Sequence, residues 1–268
     1  MKFRPIGIFD SGLGGLTAVR RLRALLPAEA LVYLGDTGRV PYGGRDRETL
    51  LRFAREDAAF LLRQNVKAIL VACGTVSSAA MEALSGVGVP VCGVVLPGAK
   101  AAANATKTGR VGVIGTEAAV RAGAYERALR AIDPAIKVCA KACPAFVPLI
   151  EGGAKDGDAA LSEAAEAYLA PIRAFGADTL ILGCTHYPLI ADVIRRSVGE
   201  GVTLIDVGAA AAAELAGTLA APGLLQTDGA GGLECFVTGD AGRFQALGSR
   251  FLPEGLRSVR RTKLETQE

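Results

Sequence analysis

The chain has 268 residues, half of them apolar, and its 30 basic and 27 acidic side chains leave a net charge of +3. That length suits one large or two small domains with a sizeable core. The near balance of charge and the lack of tryptophan argue against an aromatic and basic nucleic-acid platform. The apolar runs are strand-sized, short of the ~20 residues a membrane span needs.

From the amino terminus, strands are predicted at 5–9, 30–34, 67–72, 89–94, 110–114, 135–140, 178–183 and 202–206. Between them, 15–26, 48–63, 76–85, 118–131, 159–174, 188–198 and 209–220 have helical patterns. Leu50, Ala54, Ala58 and Leu61 mark the stripe of a helix packed on a sheet. Such alternation implies α/β architecture, with parallel sheets covered on both faces. Because the first strand begins at about residue 6, no signal segment is expected before it, and the expected location is the cytoplasm. Gly223–Gly232 reads as a loop, the chain after about 253 as frayed, and Arg257, Arg260, Arg261 and Lys263 as a solvated tail.

Two strands end alike. Ala68–Ala72 runs into Cys73-Gly74-Thr75, and Thr179–Gly183 runs into Cys184-Thr185-His186. Each is preceded by a helical stretch and, further upstream, by a strand: Ile6–Phe9 before Asp10-Ser11-Gly12 in one half, Val111–Ile114 before Gly115-Thr116-Glu117 in the other. The pattern predicts two similar doubly wound halves, each placing a thiol at the carboxyl end of a strand, where α/β proteins bind ligands. Pro97-Gly98 and Asp206-Val207-Gly208 are the expected crossing points, with 1–97 plus 207–268 as one domain and 98–206 as the other.

Two thiols facing one site suit proton transfer on opposite faces of a carbon. The N–H groups of the following helix starts are expected to hold anions and to lower a nearby thiol's pKa. His186, the only histidine, sits two residues past Cys184 and can share a proton with it. Asp10 can orient the Cys73 proton or cap the next helix, and Glu151 can lean toward His186. The turn Pro41-Tyr42-Gly43 can present N–H groups to a carboxylate. The six cysteines read as reduced thiols, and one histidine with a lone Cys139/Cys143 pair makes a poor zinc set. A rival reading takes Gly12-x-Gly14 with Asp36 as a dinucleotide fingerprint, although Thr17 stands at the third glycine position.

Together these motifs resemble those of the glutamate racemases, within the cofactor-independent aspartate/glutamate racemase superfamily. The resemblance runs from Asp10-Ser11-Gly12-Leu13-Gly14-Gly15, through Gly35-Asp36-Thr37, Pro41-Tyr42-Gly43 and Val147–Glu151, to Gly183–Pro188. It implies Cys73 and Cys184 as catalytic acid/bases acting on D- and L-glutamate respectively, with Asp10, Glu151 and His186 handling protons. It also implies substrate contacts from Asp10, Ser11, Pro41, Tyr42, Gly43, Gly74, Thr75, Thr185 and His186. No cofactor and no metal are implied, and the expected assembly is a homodimer supplying D-glutamate for peptidoglycan. No nucleic-acid or membrane partner is expected. Gly74, Ala119 and Leu96 depart from the family pattern, which usually has Asn, Thr and an acid there. On that pattern, Gly74→Asn is expected to restore a substrate hydrogen bond. A racemase of another acidic amino acid, such as aspartate, and a silent amino-acid-binding relative are the alternative readings.

Overall fold

A computed structural model describes residues 1–265. The strands are β1 (Ile6–Asp10), β2 (Leu31–Gly35), β3 (Ala68–Val71), β4 (Val91–Gly93) and β5 (Arg110–Gly115). Five more follow: β6 (Lys137–Ala142), β7 (Thr179–Leu182), β8 (Thr203–Asp206), β9 (Leu233–Val237) and β10 (Val259–Arg261). The helices begin with α1 (Leu16–Leu25), α2 (Arg47–Arg63), α3 (Gly74–Ala79), α4 (Val95–Ala105) and α5 (Glu117–Ala122). They continue with α6 (Ala124–Ile132), α7 (Phe146–Gly152), α8 (Ala159–Phe175), α9 (Ala191–Val198), α10 (Val207–Ala220) and α11 (Ala241–Gly248).

Two sheets form, in the orders β10-β9-β2-β1-β3-β4 and β6-β5-β7-β8. Every pairing in both is parallel. The duplication seen in the sequence is thus one of topology: β2-β1-β3-β4 repeats as β6-β5-β7-β8, and each cysteine follows the third strand of its set. Strands buried on both faces explain the unbroken apolar runs. Ile6, Ile8, Ala68 and Leu70 point into the larger core, which continues into the second sheet. Phe9, Ile69 and Val71 point the other way, onto Leu50, Ala54, Ala58 and Leu61 of α2. Asp46 caps α2 by accepting the Thr49 N–H at 2.8 Å.

Several elements differ from expectation. The chain leaves the first sheet through α4, with Pro97 in the first turn, where a missing N–H costs no helical bond. The 118–131 stretch breaks at Gly123 into α5 and α6, and the 76–85 stretch into α3 and a 3₁₀ turn, Met81–Leu84. The segment after 253 is not frayed throughout, because β10 pairs with β9 at the sheet edge. Arg260 lies 4.4 Å over the Phe236 ring and pairs with Glu234, so part of the expected solvated tail is packed. Residues 266–268, also within the expected frayed end, lie outside the described residues.

One buried ion pair ties together the amino ends of the central strands β1, β2 and β3. Lys67 Nζ donates to Glu29 at 2.6 Å, to the Lys2 carbonyl at 2.8 Å and to the Leu224 carbonyl at 2.9 Å. All three ammonium protons are thereby used, and Glu29 also accepts the Gln226 N–H at 2.8 Å. Removing one member of such a pair strands the other charge, at a cost of about 3–5 kcal/mol. Lys67→Ala is therefore expected to lower the urea-unfolding free energy by about that amount; a loss below about 1 kcal/mol would show that the pair adds little.

Candidate active site

Each thiol lies two residues beyond its strand. Past β3 the chain turns through Cys73 into α3, where the Ser11 and Val76 N–H groups favour the thiolate. Ser11 Oγ lies 3.9 Å from Cys73 Sγ. Burial nevertheless pushes the thiol up to about 12, and the nearby Asp10 charge adds to the rise. The backbone donors act in the direction expected of a helix start, but desolvation outweighs them. At neutral pH Cys73 is therefore a neutral thiol.

Asp10 ends β1 and folds back over the glycine-rich turn, where Oδ2 accepts the N–H groups of Gly12 and Gly15 at 3.0 Å each. Those donors are the ones a dinucleotide phosphate would need, so the rival fingerprint reading fails on geometry. Burial raises the Asp10 pKa, while the His186 charge and the two N–H groups offset part of that rise. Thr185 Oγ1 lies 3.5 Å from the other Asp10 oxygen, bringing the two halves together at this carboxylate. Gly14 permits the approach: a Cβ there would fall 2.1 Å from Thr185 Oγ1 and 2.5 Å from His186 Nδ1.

On the opposite side, His186 Nδ1 is 3.8 Å from Cys184 Sγ, and Nε2 is 2.9 Å from Glu151 Oε1. Glu151 projects from the last turn of α7, and His186 follows β7 just before the 3₁₀ turn Tyr187–Ile190. Burial opposes a charged imidazole, but hydrogen bonds with Cys184 and Glu151, and the Cys184 and Asp10 charges, overcome it. The His186 pKa is pushed up to about 10. Glu151 is held below the usual carboxylate range, chiefly by its hydrogen bond to His186 and against its partial burial.

Between these groups lies a cavity of about 90 Å³, well below the roughly 300–1,000 Å³ of open ligand pockets. Asp10, Ser11, Pro41, Tyr42, Gly43, Cys73, Gly74, Thr75, Glu151, Cys184, Thr185 and His186 all line it. Sequence reading overlooked four more lining residues: Gly12, Val40, Thr116 and Val147. Thr116 was recoverable, because it follows β5 as Ser11 follows β1, and its hydroxyl meets that of Thr75 at 2.9 Å across the cleft. Ala119 and Leu96 are absent from the lining; Leu96 faces a separate cavity with Cys92 and Glu214.

Tyr42 does not offer its hydroxyl to the cavity. The hydroxyl donates to buried Asp36 and lies 3.1 Å from Asp57. Arg39 Nε meets Asp36 at 2.5 Å, and the same guanidinium reaches Asp57 and Glu56. Burial and the Asp36 charge lift Asp57 well above the ordinary carboxylate range. This network pins the Pro41–Gly43 turn from beneath and leaves its backbone facing the cavity. Gly74 closes the other wall: a Cβ added there would lie 2.1 Å from the Gly183 carbonyl oxygen. The expected benefit of Gly74→Asn is thus overturned, since the obstacle is backbone and cannot rotate away.

With one histidine in the chain, ring ¹⁵N NMR reads His186 without assignment ambiguity. The ring is expected to stay imidazolium through neutral pH and titrate near 10. By linkage its contribution to stability is fully present below about 6.5 and fades as pH rises through about 10. A midpoint near 6.5 would mean that neither Cys184 nor Glu151 holds the proton.

Residues 17–215 match the family model described as Asp/Glu/Hydantoin racemase. A glutamate racemase from Geobacter metallireducens is 44% identical over 270 residues, covering 100% of both chains. One from Thermus thermophilus is 50% identical over 262 residues, covering 97% of each. The crystal structure of glutamate racemase from Francisella tularensis in complex with D-glutamate matches with a TM-score of 0.93 and 35% identity over 100% of both chains. The chain belongs to the Asp/Glu/hydantoin racemase family.

Proposed function

We propose that the protein interconverts L- and D-glutamate by proton transfer between two thiols on opposite faces of the α-carbon. One observation carries this reading: Cys73 and Cys184, delivered by equivalent strands of two sheets, line one small cavity, each beside its own acid/base partner. In the L-to-D direction, the Cys184 thiolate, paired with the His186 imidazolium, removes the α-proton. The neutral Cys73 thiol donates its proton to the other face, leaving a thiolate that the Ser11 and Val76 N–H groups hold. The D-to-L direction is this path in reverse. It starts from the form in which Asp10 has taken the Cys73 proton and the His186 imidazolium has given its own to Cys184. The Cys73 thiolate then removes the α-proton, and the Cys184 thiol donates. Burial makes Asp10 a stronger base than an exposed carboxylate, as that role needs.

In this reading the Tyr42 and Gly43 backbone receives the side-chain carboxylate, and Ser11, Thr75 and Thr185 receive the α-amino and α-carboxylate groups. Pro41 and Gly74 shape the walls. Residues 1–97 with 207–268 act as one domain and 98–206 as the other, parting to admit a substrate that the closed cavity encloses. Enclosure keeps water from the carbanion-like transition state and strengthens every dipole aimed at it. The product supplies peptidoglycan assembly in the cytoplasm, and the working unit is a homodimer. Among the described residues, no helix is long and apolar enough to cross a membrane.

Each enantiomer of glutamate, incubated with enzyme in D₂O, is expected to racemise with α-deuterium incorporation, while aspartate is not. Cys73→Ser and Cys184→Ser should each fold normally yet lose several orders of magnitude in rate, because a serine hydroxyl is a far poorer acid/base near neutral pH. A variant retaining over about a tenth of wild-type turnover, a barrier change under about 1.4 kcal/mol, would sink the two-thiol mechanism.

Gly74→Asn tests the closed cleft. The side chain must push the Cys73 and Cys184 loops apart, so kcat/KM should fall at least about tenfold for both enantiomers, with melting temperature as the control for folding. Equal or improved activity would show that the loops part at no cost.

A further inference from the structure

The segment following α11 lies some 65 residues beyond Cys184 in the chain, a distance of roughly that order by numbering alone, yet it reaches the Cys184 side of the cleft. A tight turn, with Phe251 N–H on the Gly248 carbonyl at 3.0 Å and Leu252 N–H on the same oxygen at 2.9 Å, sends neighbouring side chains in different directions. Phe251 turns inward, fully buried, and its ring meets the His186 ring edge-on at 5.4 Å and 88°. Arg250 stays at the surface and turns onto α7. Its Nη2 donates to the Ile150 carbonyl at 2.7 Å and Nη1 to the Glu151 carbonyl at 3.2 Å. These are last-turn carbonyls at the negative end of the helix, where a guanidinium binds well; that of Ile150 also accepts the Gly153 N–H at 3.1 Å.

The consequence concerns one hydrogen bond. Glu151 reaches His186 from a helix of seven residues whose first turn carries no side-chain cap. So short a helix has little stability of its own. The backbone that aims the Glu151 carboxylate is held by Arg250, while the imidazole it meets rests against Phe251, the next residue along. We propose that Arg250 is a positioning residue: by capping α7 it holds Glu151 on His186, and so sets the readiness of Cys184 for proton transfer. This rests on the racemase reading above for its kinetic part only, since the Glu151–His186 geometry stands in the free protein.

The charged and titratable groups facing the pair are Cys184 and Asp10 around His186, and Arg243 with Arg250 around Glu151. The test compares Arg250→Ala and Arg250→Lys with the parent chain by His186 ring ¹⁵N titration without substrate, and by steady-state kinetics. Arg250→Ala is expected to melt near the parent temperature, because Arg250 is exposed, and to titrate His186 at lower pH. Its kcat should fall about 10- to 100-fold with KM little changed. The two enantiomers have equal free energy, so kcat/KM must fall equally in both directions, and isotope effects make the assignment. The primary effect with α-deuterated L-glutamate should rise as the Cys184 step becomes limiting, and that with α-deuterated D-glutamate should fall. Arg250→Lys, which can still donate to a carbonyl, should recover most of both readouts. An unchanged His186 titration in a folded Arg250→Ala protein overturns the proposal, as does a kcat loss with isotope effects that move alike for both enantiomers. A parent chain that racemises nothing would refute the racemase reading while the titration still decides the role of Arg250.

Discussion

The site depends on how closely two backbone segments can approach. Cys73 and Cys184 come from different sheets, and the cleft is small because the loops that carry them meet almost atom to atom. The Gly74 α-carbon lies against the Gly183 carbonyl, and Gly14 lies beneath Thr185 and His186. Desolvation is the largest influence on Cys73, on Asp10 and on His186 alike, yet the outcomes differ. A group with only backbone donors keeps its proton, as Cys73 does. His186, with an acid on each ring nitrogen, becomes charged despite its burial. The same burial thus leaves one side of the cleft with a neutral thiol and the other with a charged imidazole.

A second layer of polar burial supports the first without touching a ligand. Asp36, Asp57 and Tyr42 are almost wholly buried beneath the Pro41–Gly43 turn, with Arg39 as their common cation. Thr238, from just past β9, donates to Asp36 at 2.7 Å. Such networks add little net stability, because desolvation consumes much of the electrostatic gain, but they specify one arrangement of the backbone. A turn that lines the cavity benefits from that kind of specification.

Much of this was legible in the sequence, because local patterns encode it. Apolar runs ending in Cys73 and Cys184 reported parallel strands and a ligand position, and their repetition reported the duplicated topology. Asp10, Glu151 and His186 stood at strand or segment ends, where side chains converge. The signals failed where long-range partners decide the outcome. β9 carries Glu234 and Cys235 amid apolar residues, and only its pairing with β2, some two hundred residues earlier, makes it a strand. Pro97-Gly98 has turn composition but lies at a helix start, where proline is tolerated. Tyr42 reads as a binding residue from its turn, yet its hydroxyl is committed to Asp36. Gly74 reads as a lost contact until Gly183 is seen opposite it.

The order of strands along the chain has a consequence for synthesis. The four-stranded sheet draws on a continuous stretch, from Arg110 in β5 to Asp206 in β8, and its strands are all available once that stretch has emerged from the ribosome. The six-stranded sheet waits for β9 and β10, because β2 remains an open edge until Leu233–Val237 arrives. Domains made at about 5–20 residues per second fold as their parts appear, so the second sheet precedes completion of the first. The cleft is finished only when the Arg250–Phe251 turn docks, well after both thiols have been made. A nascent chain still tethered to the ribosome therefore holds both thiols but not yet the surroundings that set their chemistry.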